Sequence, residues 1–151
     1  MPQSLAQIYV HIVFSTKHRQ PFLTDKKLRD ECHAYLAGTC KRRGSTSIIV
    51  GGVADHVHIL CTLSREESVS VLVRELKRES SKSLKEKSPA LRNFYWQAGY
   101  GAFSVSPAHV AVLKQYIRNQ EEHHRQESFQ DEFRRLLRKY GVEYDERYVW
   151  D

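Results

Sequence analysis

The chain has 151 residues, 40% of them hydrophobic and 28% charged, with a net charge of +6 and a pI near 9.3. This suits one domain over residues 1–151 with a sizeable core and excludes an intrinsically disordered chain. No apolar run reaches the roughly 20 residues of a membrane span, the absence of a charged-then-apolar leader gives a cytoplasmic expectation, and the positive excess favours a polyanionic partner.

Ile8 to Thr16 alternates Ile8, Val10, Ile12 and Phe14 against Tyr9, His11, Val13 and Ser15. Both sets are apolar enough for a central strand. Lys17-His18-Arg19-Gln20-Pro21 leaves it as a basic loop, a usual place for ligand contacts. Thr24-Asp25 caps a helix reaching about Arg43, with Leu28, Cys32, Tyr35 and Leu36 inward. The Lys41-Arg42-Arg43-Gly44 run is ordinary helix C-terminal chemistry.

Two strands follow, Ser47 to Val53 and Asp55 to Leu63, close enough for a hairpin. Strand alternation places His56 and His58 on one face and Val57, Ile59, Cys61 and Leu63 on the other. Two imidazoles side by side on a rigid strand can hold a metal ion; they could equally be a half-exposed surface pair. Asp55 could be a further ligand, orient a histidine, or serve only the turn.

Ser68 opens a helix to about Ser83 with Val69, Leu72, Val73 and Leu76 inward. Its other face carries Arg74, Lys77, Arg78, Lys82 and Lys85, either a phosphate-tracking surface or a solvated basic face. Phe94-Tyr95-Trp96-Gln97 is aromatic, and Gly99-Tyr100-Gly101 marks a turn or bulge before Phe103-Ser104-Val105; Trp96 and Phe103 read as core more readily than as base-stacking rings. Ser106-Pro107 opens the next helix, with Val110, Leu113 and Ile117 buried. Tyr116 and Gln120, four apart, share a face with His109 and His123. Phe129, Phe133, Leu136, Leu137 and Tyr140 then make a short amphipathic helix stopped by Gly141. The tail from Val142 offers no obvious place to bury Tyr144, Tyr148 and Trp150, so it either covers the core or reaches a second subunit. Cys32, Cys40 and Cys61 lack metal-type spacing and read as buried, inert thiols.

The order strand, helix, strand, strand, helix, strand, helix gives an α+β domain: an antiparallel sheet with flanking helices, ferredoxin-like in outline.

His56-Val57-His58 matches the histidine-hydrophobic-histidine (HUH) triplet of nucleases that break single-stranded DNA. In order with Ile8 to Lys17, the block Tyr95-Trp96-Gln97-Ala98-Gly99-Tyr100-Gly101-Ala102-Phe103, and Tyr116-Ile117-Arg118-Asn119-Gln120, it resembles the single-tyrosine transposases of the smallest bacterial insertion sequences, the IS200-like branch. The resemblance runs from about residue 5 to residue 124. It implies the RRM-like HUH nuclease fold, with residues 128–151 as a C-terminal helix and tail on the catalytic domain. It implies that Tyr116 attacks a DNA phosphate, that a 5′-phosphotyrosine forms and leaves a 3′-OH, and that a second strand end reverses the attack without ATP. His56, His58 and Gln120 would hold Mg²⁺ or Mn²⁺. Substrates would be single strands with hairpin ends, and the enzyme a homodimer. For such a substrate, Lys17, Arg19, Arg74, Lys77 and Arg78 are the candidate DNA contacts. A replication initiator or relaxase shares this chemistry but often carries a third histidine beside the motif or a second tyrosine near the first; here Tyr140 lies beyond the helix. A domesticated relative acting on chromosomal repeats stays open. A non-catalytic RNA-binding ferredoxin-like module would show exposed aromatics on the central strands, where this chain has histidines.

Overall fold

The computed structural model describes residues 3–151. Its elements are β1 (Tyr9–Ser15), α1 (Lys26–Arg42), β2 (Ser47–Val53), β3 (His56–Thr62), α2 (Val69–Lys87), β4 (Gly101–Val105), α3 (Val110–Arg118), α4 (Gln120–His123) and α5 (Phe129–Lys139). The strands form one antiparallel sheet in the order β2-β3-β1-β4. This is the α+β, ferredoxin-like arrangement the alternation predicts.

The two central strands are apolar on both faces because both faces are covered. Val57, Ile59 and Cys61 of β3 join Val10, Ile12 and Phe14 of β1 in a core closed by Cys32 and Leu36 of α1 and Leu72 and Leu76 of α2. Full burial of each large aliphatic side chain there stabilises the fold by about 1.5–3 kcal/mol. On the opposite face, Leu60 meets Leu113 and Ile117 of α3. Val13 and Phe103 meet Phe129, Phe133, Leu136 and Leu137 of α5.

Local chemistry sets the boundaries. Asp25 caps α1 by accepting from the Lys27 and Leu28 amides, and Ser68 caps α2 through Val71. α2 runs a turn past Ser83, since Ser83 and Leu84 continue its buried stripe, and ends at Ser88 before Pro89. The segment expected as one helix after Ser106 is divided. A 3₁₀ turn (Pro107–His109) precedes α3, Ser106 makes no side-chain cap bond, and Asn119 (φ −95°, ψ 23°) separates α3 from α4. Gly51 lets α3 approach β2: a Cβ there would lie 2.7 Å from the Ile117 carbonyl oxygen. The tail closes on its own chain. Tyr144, Val149 and Trp150 pack on the α5 cluster, while Tyr148 stays exposed. All three cysteines are buried and free.

Candidate active site

β3 is the element that positions the site. Its period of two sends Val57 and Ile59 into the α1–α2 core and His56 and His58 under α3, α4 and α5, where both imidazoles are fully buried. They are therefore not the half-exposed surface pair that the spacing also allowed. His56 Nδ1 donates to Asp55 Oδ1 at 2.7 Å and its Nε2 to Gln120 Oε1 at 3.1 Å. His58 Nε2 donates to Glu132 Oε1 at 3.0 Å. Its Nδ1 lies 2.8 Å from Nε2 of His11, across the β1–β3 pairing, with the two rings stacked.

Glu132 of α5 is the hub. Its Oε1 also accepts from His124 Nε2 at 3.0 Å and lies 3.3 Å from His56 Nε2. Its Oε2 accepts from Gln120 Nε2 at 3.2 Å and from the Tyr116 hydroxyl. Arg135, one residue row along α5, donates to the Tyr116 oxygen at 2.9 Å and pairs with Glu127 at 3.0 Å. The phenol thus sits between a carboxylate and a guanidinium, with its ring centroid 6.0 Å from that of His58.

The electrostatics follow from burial and these partners. Burial alone would raise the Glu132 carboxyl, but the charge of His58 and hydrogen bonds from His124, His56 and His58 hold it well below the usual carboxylate range. Burial would lower His56; hydrogen bonds to Asp55 and Glu132 outweigh it and raise the imidazole to about 9. His58 and His11 are lowered, chiefly by burial. Tyr116 is raised, first by burial and then by the Glu132 charge, so its phenol is neutral at pH 7.

His56, His58, His124 and Glu132 each present a ligand atom within 4.8 Å of the others. Imidazole nitrogens converging on one carboxylate, with the Gln120 amide oxygen alongside, suit a divalent cation that accepts mixed nitrogen and oxygen ligands. Of the residues expected from sequence, His56, His58, Gln120 and Tyr116 come together. Glu132, His124 and Arg135 were not foreseen in this role. Glu132 had a readable signal: it occupies the inward stripe of α5 between Phe129 and Leu136, where an isolated carboxylate is out of place. Asp55 orients His56. Tyr9 stands away from the cluster, its hydroxyl accepting from Gln7.

The five basic candidates do not adjoin the histidines as a group. Arg74 and Arg78 are exposed on α2, across the sheet from the cluster, and both pair with Glu75. Lys77 turns inward. It donates to the Gln97 and Gly99 carbonyls at 2.8 and 2.7 Å and lies over Phe14, and burial pulls its ammonium down to about 8. Lys17 is exposed in a 3₁₀ turn, and Arg19 donates to the Trp150 carbonyl at 3.3 Å. Trp96 and Phe103 are core, whereas Tyr95 is exposed beneath Lys85.

A family model described as IS200-like transposase matches residues 4–120. Two solved structures share the fold. One is a candidate transposase from Deinococcus radiodurans R1, 24% identical over 78% of this chain and 93% of that one, with a TM-score of 0.61. The other is a REP-associated tyrosine transposase bound to a REP hairpin, 14% identical over 81% of this chain and 72% of that one, with a TM-score of 0.60. No curated protein matches the chain.

Proposed function

The chain belongs to the IS200-like transposase family, and from that premise we propose that it is a metal-dependent transposase of single-stranded DNA in which Tyr116 is the nucleophile. The observation that carries this reading is the meeting of Tyr116, Gln120, His56 and His58 around Glu132 within one chain. His56 and His58, with Gln120 and Glu132 beside them, would hold Mg²⁺ or Mn²⁺. When bound, such a cation supplies polarisation of the scissile phosphate.

The chain's own groups do the rest. The Tyr116 oxygen forms a bond to phosphorus as the bond to the 3′ oxygen breaks, giving a 5′-phosphotyrosine and a free 3′-OH once the leaving oxygen is protonated. Glu132 Oε2 accepts the phenol hydrogen bond and orients the attacking oxygen, while the same histidine contacts that hold its carboxyl low make it a weak base, so the phenol proton passes to solvent water as the bond to phosphorus forms. Arg135 offsets the negative charge that develops on that oxygen. The phosphodiester energy is kept in the tyrosyl bond, so attack by another 3′-OH reseals DNA without ATP.

A hairpin-ended single strand is the proposed substrate, by likeness to the REP-associated neighbour and its bound hairpin, and the cytoplasm the proposed place of action. Tyr116, Gln120 and the histidine pair meet within one chain, and the homodimer the resemblance implies is part of the same proposal. The central strands offer few open positions for stacking bases, which disfavours a passive RNA-binding sheet.

The test is incubation with hairpin-bearing single-stranded DNA from the flanks of the gene, with Mg²⁺ or Mn²⁺. A covalent protein–DNA adduct that chelator and Tyr116→Phe both abolish is the expected result. Binding with no adduct, unaffected by chelator, overturns the reading.

A further inference from the structure

Between α3 and α5, with β1 as its floor, lies a cavity of about 130 Å³ bordered by Tyr116. Its walls are mixed in a specific way. Val112, Leu113, Leu136 and the Tyr140 ring are apolar, His11 is at the floor, and Arg135, Lys139 and His109 complete the lining; no carboxylate is among the lining residues. His11 is fully buried, and while its Nε2 faces His58, its Nδ1 has no hydrogen-bond partner among the described residues. A buried ring nitrogen left without a partner costs free energy that an occupant able to hydrogen-bond would recover.

A second cavity of about 250 Å³ shares His109, Lys139 and Tyr140 with the first and extends to Ser104 and Ser106 at the end of β4. Lys139 is exposed and makes no ion pair among the described residues, unlike Arg134 and Arg135 on the same helix, which Glu146 and Glu127 neutralise. The hydroxyls of Ser104 and Ser106 carry no hydrogen bond to another described residue. The two neighbouring cavities thus set an apolar slot bordered by Tyr116, with His11 among its lining residues, beside a mouth where Lys139, seated over the Tyr140 ring, and the two serine hydroxyls have no anionic partner among the described residues.

Apolar walls, one buried ring nitrogen and a cationic mouth match the two halves of a nucleotide. We infer that this space is a nucleotide subsite: the slot takes one unpaired base, hydrogen-bonded to His11 Nδ1, and Lys139, His109, Ser104 and Ser106 hold the phosphodiester that follows it. The inference rests on the reading of Tyr116 as nucleophile, because it assigns the subsite to the strand next to the scissile phosphate. A bare phosphate would leave His11 unsatisfied and the apolar walls uncovered. A base pair would not enter a slot of this volume.

The test uses fluorescence anisotropy in chelator, so that no cleavage occurs. The probes are a labelled oligothymidylate and an abasic deoxyribose-phosphate oligomer of the same length. Wild type should prefer the base-bearing strand. Val112→Trp, at a position 61% exposed on the rim, should bring that preference close to unity by filling the mouth of the slot. Lys139→Ala should weaken both strands several-fold and reduce the slope of log affinity against log salt by about 0.7, the value for one phosphate contact on a single strand. Lys41→Ala, an exposed lysine on α1 bordering neither cavity, should behave as wild type. Both informative substitutions are at surface positions, and unchanged melting verifies the fold. Equal wild-type affinity for the two probes overturns the inference. So does a Val112→Trp variant that keeps the full preference, or a Lys139→Ala variant with wild-type affinity and salt slope. The outcome is separable from that of the parent reading: loss of the adduct with this binding pattern intact removes the transposase chemistry, whereas an adduct formed without the pattern removes only the subsite.

Discussion

Replacing Glu132 by Gln keeps the shape of the hub and removes its charge. In the metal-free protein, His56 is raised from 6.5 to about 9 against the opposing effect of burial. A rise of that size corresponds to about 3 kcal/mol of preference for the imidazolium. Asp55 and Glu132 supply it together, so losing the Glu132 charge should lower the His56 pKa, with the Asp55 hydrogen bond keeping part of the rise. The same substitution leaves the His56 imidazolium facing a neutral amide in a buried site, and removing one partner of a buried charge pair costs about 3–5 kcal/mol. With hydrogen-bonding capacity retained by Gln, the expected loss of unfolding free energy at pH 7 is about 2–4 kcal/mol. Imidazole titration by ¹H–¹⁵N NMR in chelator measures the first quantity, and urea denaturation the second. A variant in which His56 still titrates near 9 and whose urea midpoint equals that of wild type would refute the assignment of Glu132 as the hub.

Three further outcomes follow from the same geometry. Gly51→Ala should destabilise the fold by about 1–3 kcal/mol, because the new methyl meets the Ile117 carbonyl and side chain; it should also lower adduct formation by displacing α3, and normal stability with normal adduct yield would contradict the packing argument. His33, depressed to about 4 by burial, should contribute stability that is full above pH 6.5 and drains away as the pH falls through 4, up to about 3 kcal/mol. Comparing His33→Asn with wild type over that window by urea denaturation should show a flatter profile in the variant. Added Mn²⁺ should raise the melting temperature of wild type reversibly with chelator, increasingly as the pH rises toward 9 and His56 gives up the proton a cation must displace, and hardly at all in His58→Gln.

Much of the architecture is legible before any coordinates because its determinants are local. Alternation along Ile8 to Thr16 and Asp55 to Leu63 predicts two central strands and tells which face carries the histidines. Asp25, Ser68 and Gly141 mark helix ends by their own cap and turn chemistry. The triplet His56-Val57-His58 and the spacing from Tyr116 to Gln120 are likewise local patterns. What is hidden is set by the third dimension. Glu132 stands out on the inward stripe of α5, but its partners His56, His58 and His124 are gathered around it only when α5 docks on the sheet. Lys77 shares its spacing with Arg74 and Arg78, yet the carbonyls of residues 97–99 capture it. Asn119 breaks the tyrosine helix although nothing in its neighbours forbids continuation, and the tail packs Tyr144, Val149 and Trp150 on the α5 cluster, contacts that no local pattern announces.

The position of β3 between two hydrogen-bonded neighbours carries a consequence for how this protein can vary in length. Inserting one residue between Asp55 and Thr62 would send valine and isoleucine toward α5 and imidazoles into the oily side, so the histidine–glutamate cluster and the core would be lost in the same stroke. Indels are thus expected to be confined to surface connectors such as 64–67, and a library of single-codon insertions selected for soluble expression should be empty across the strand and populated there.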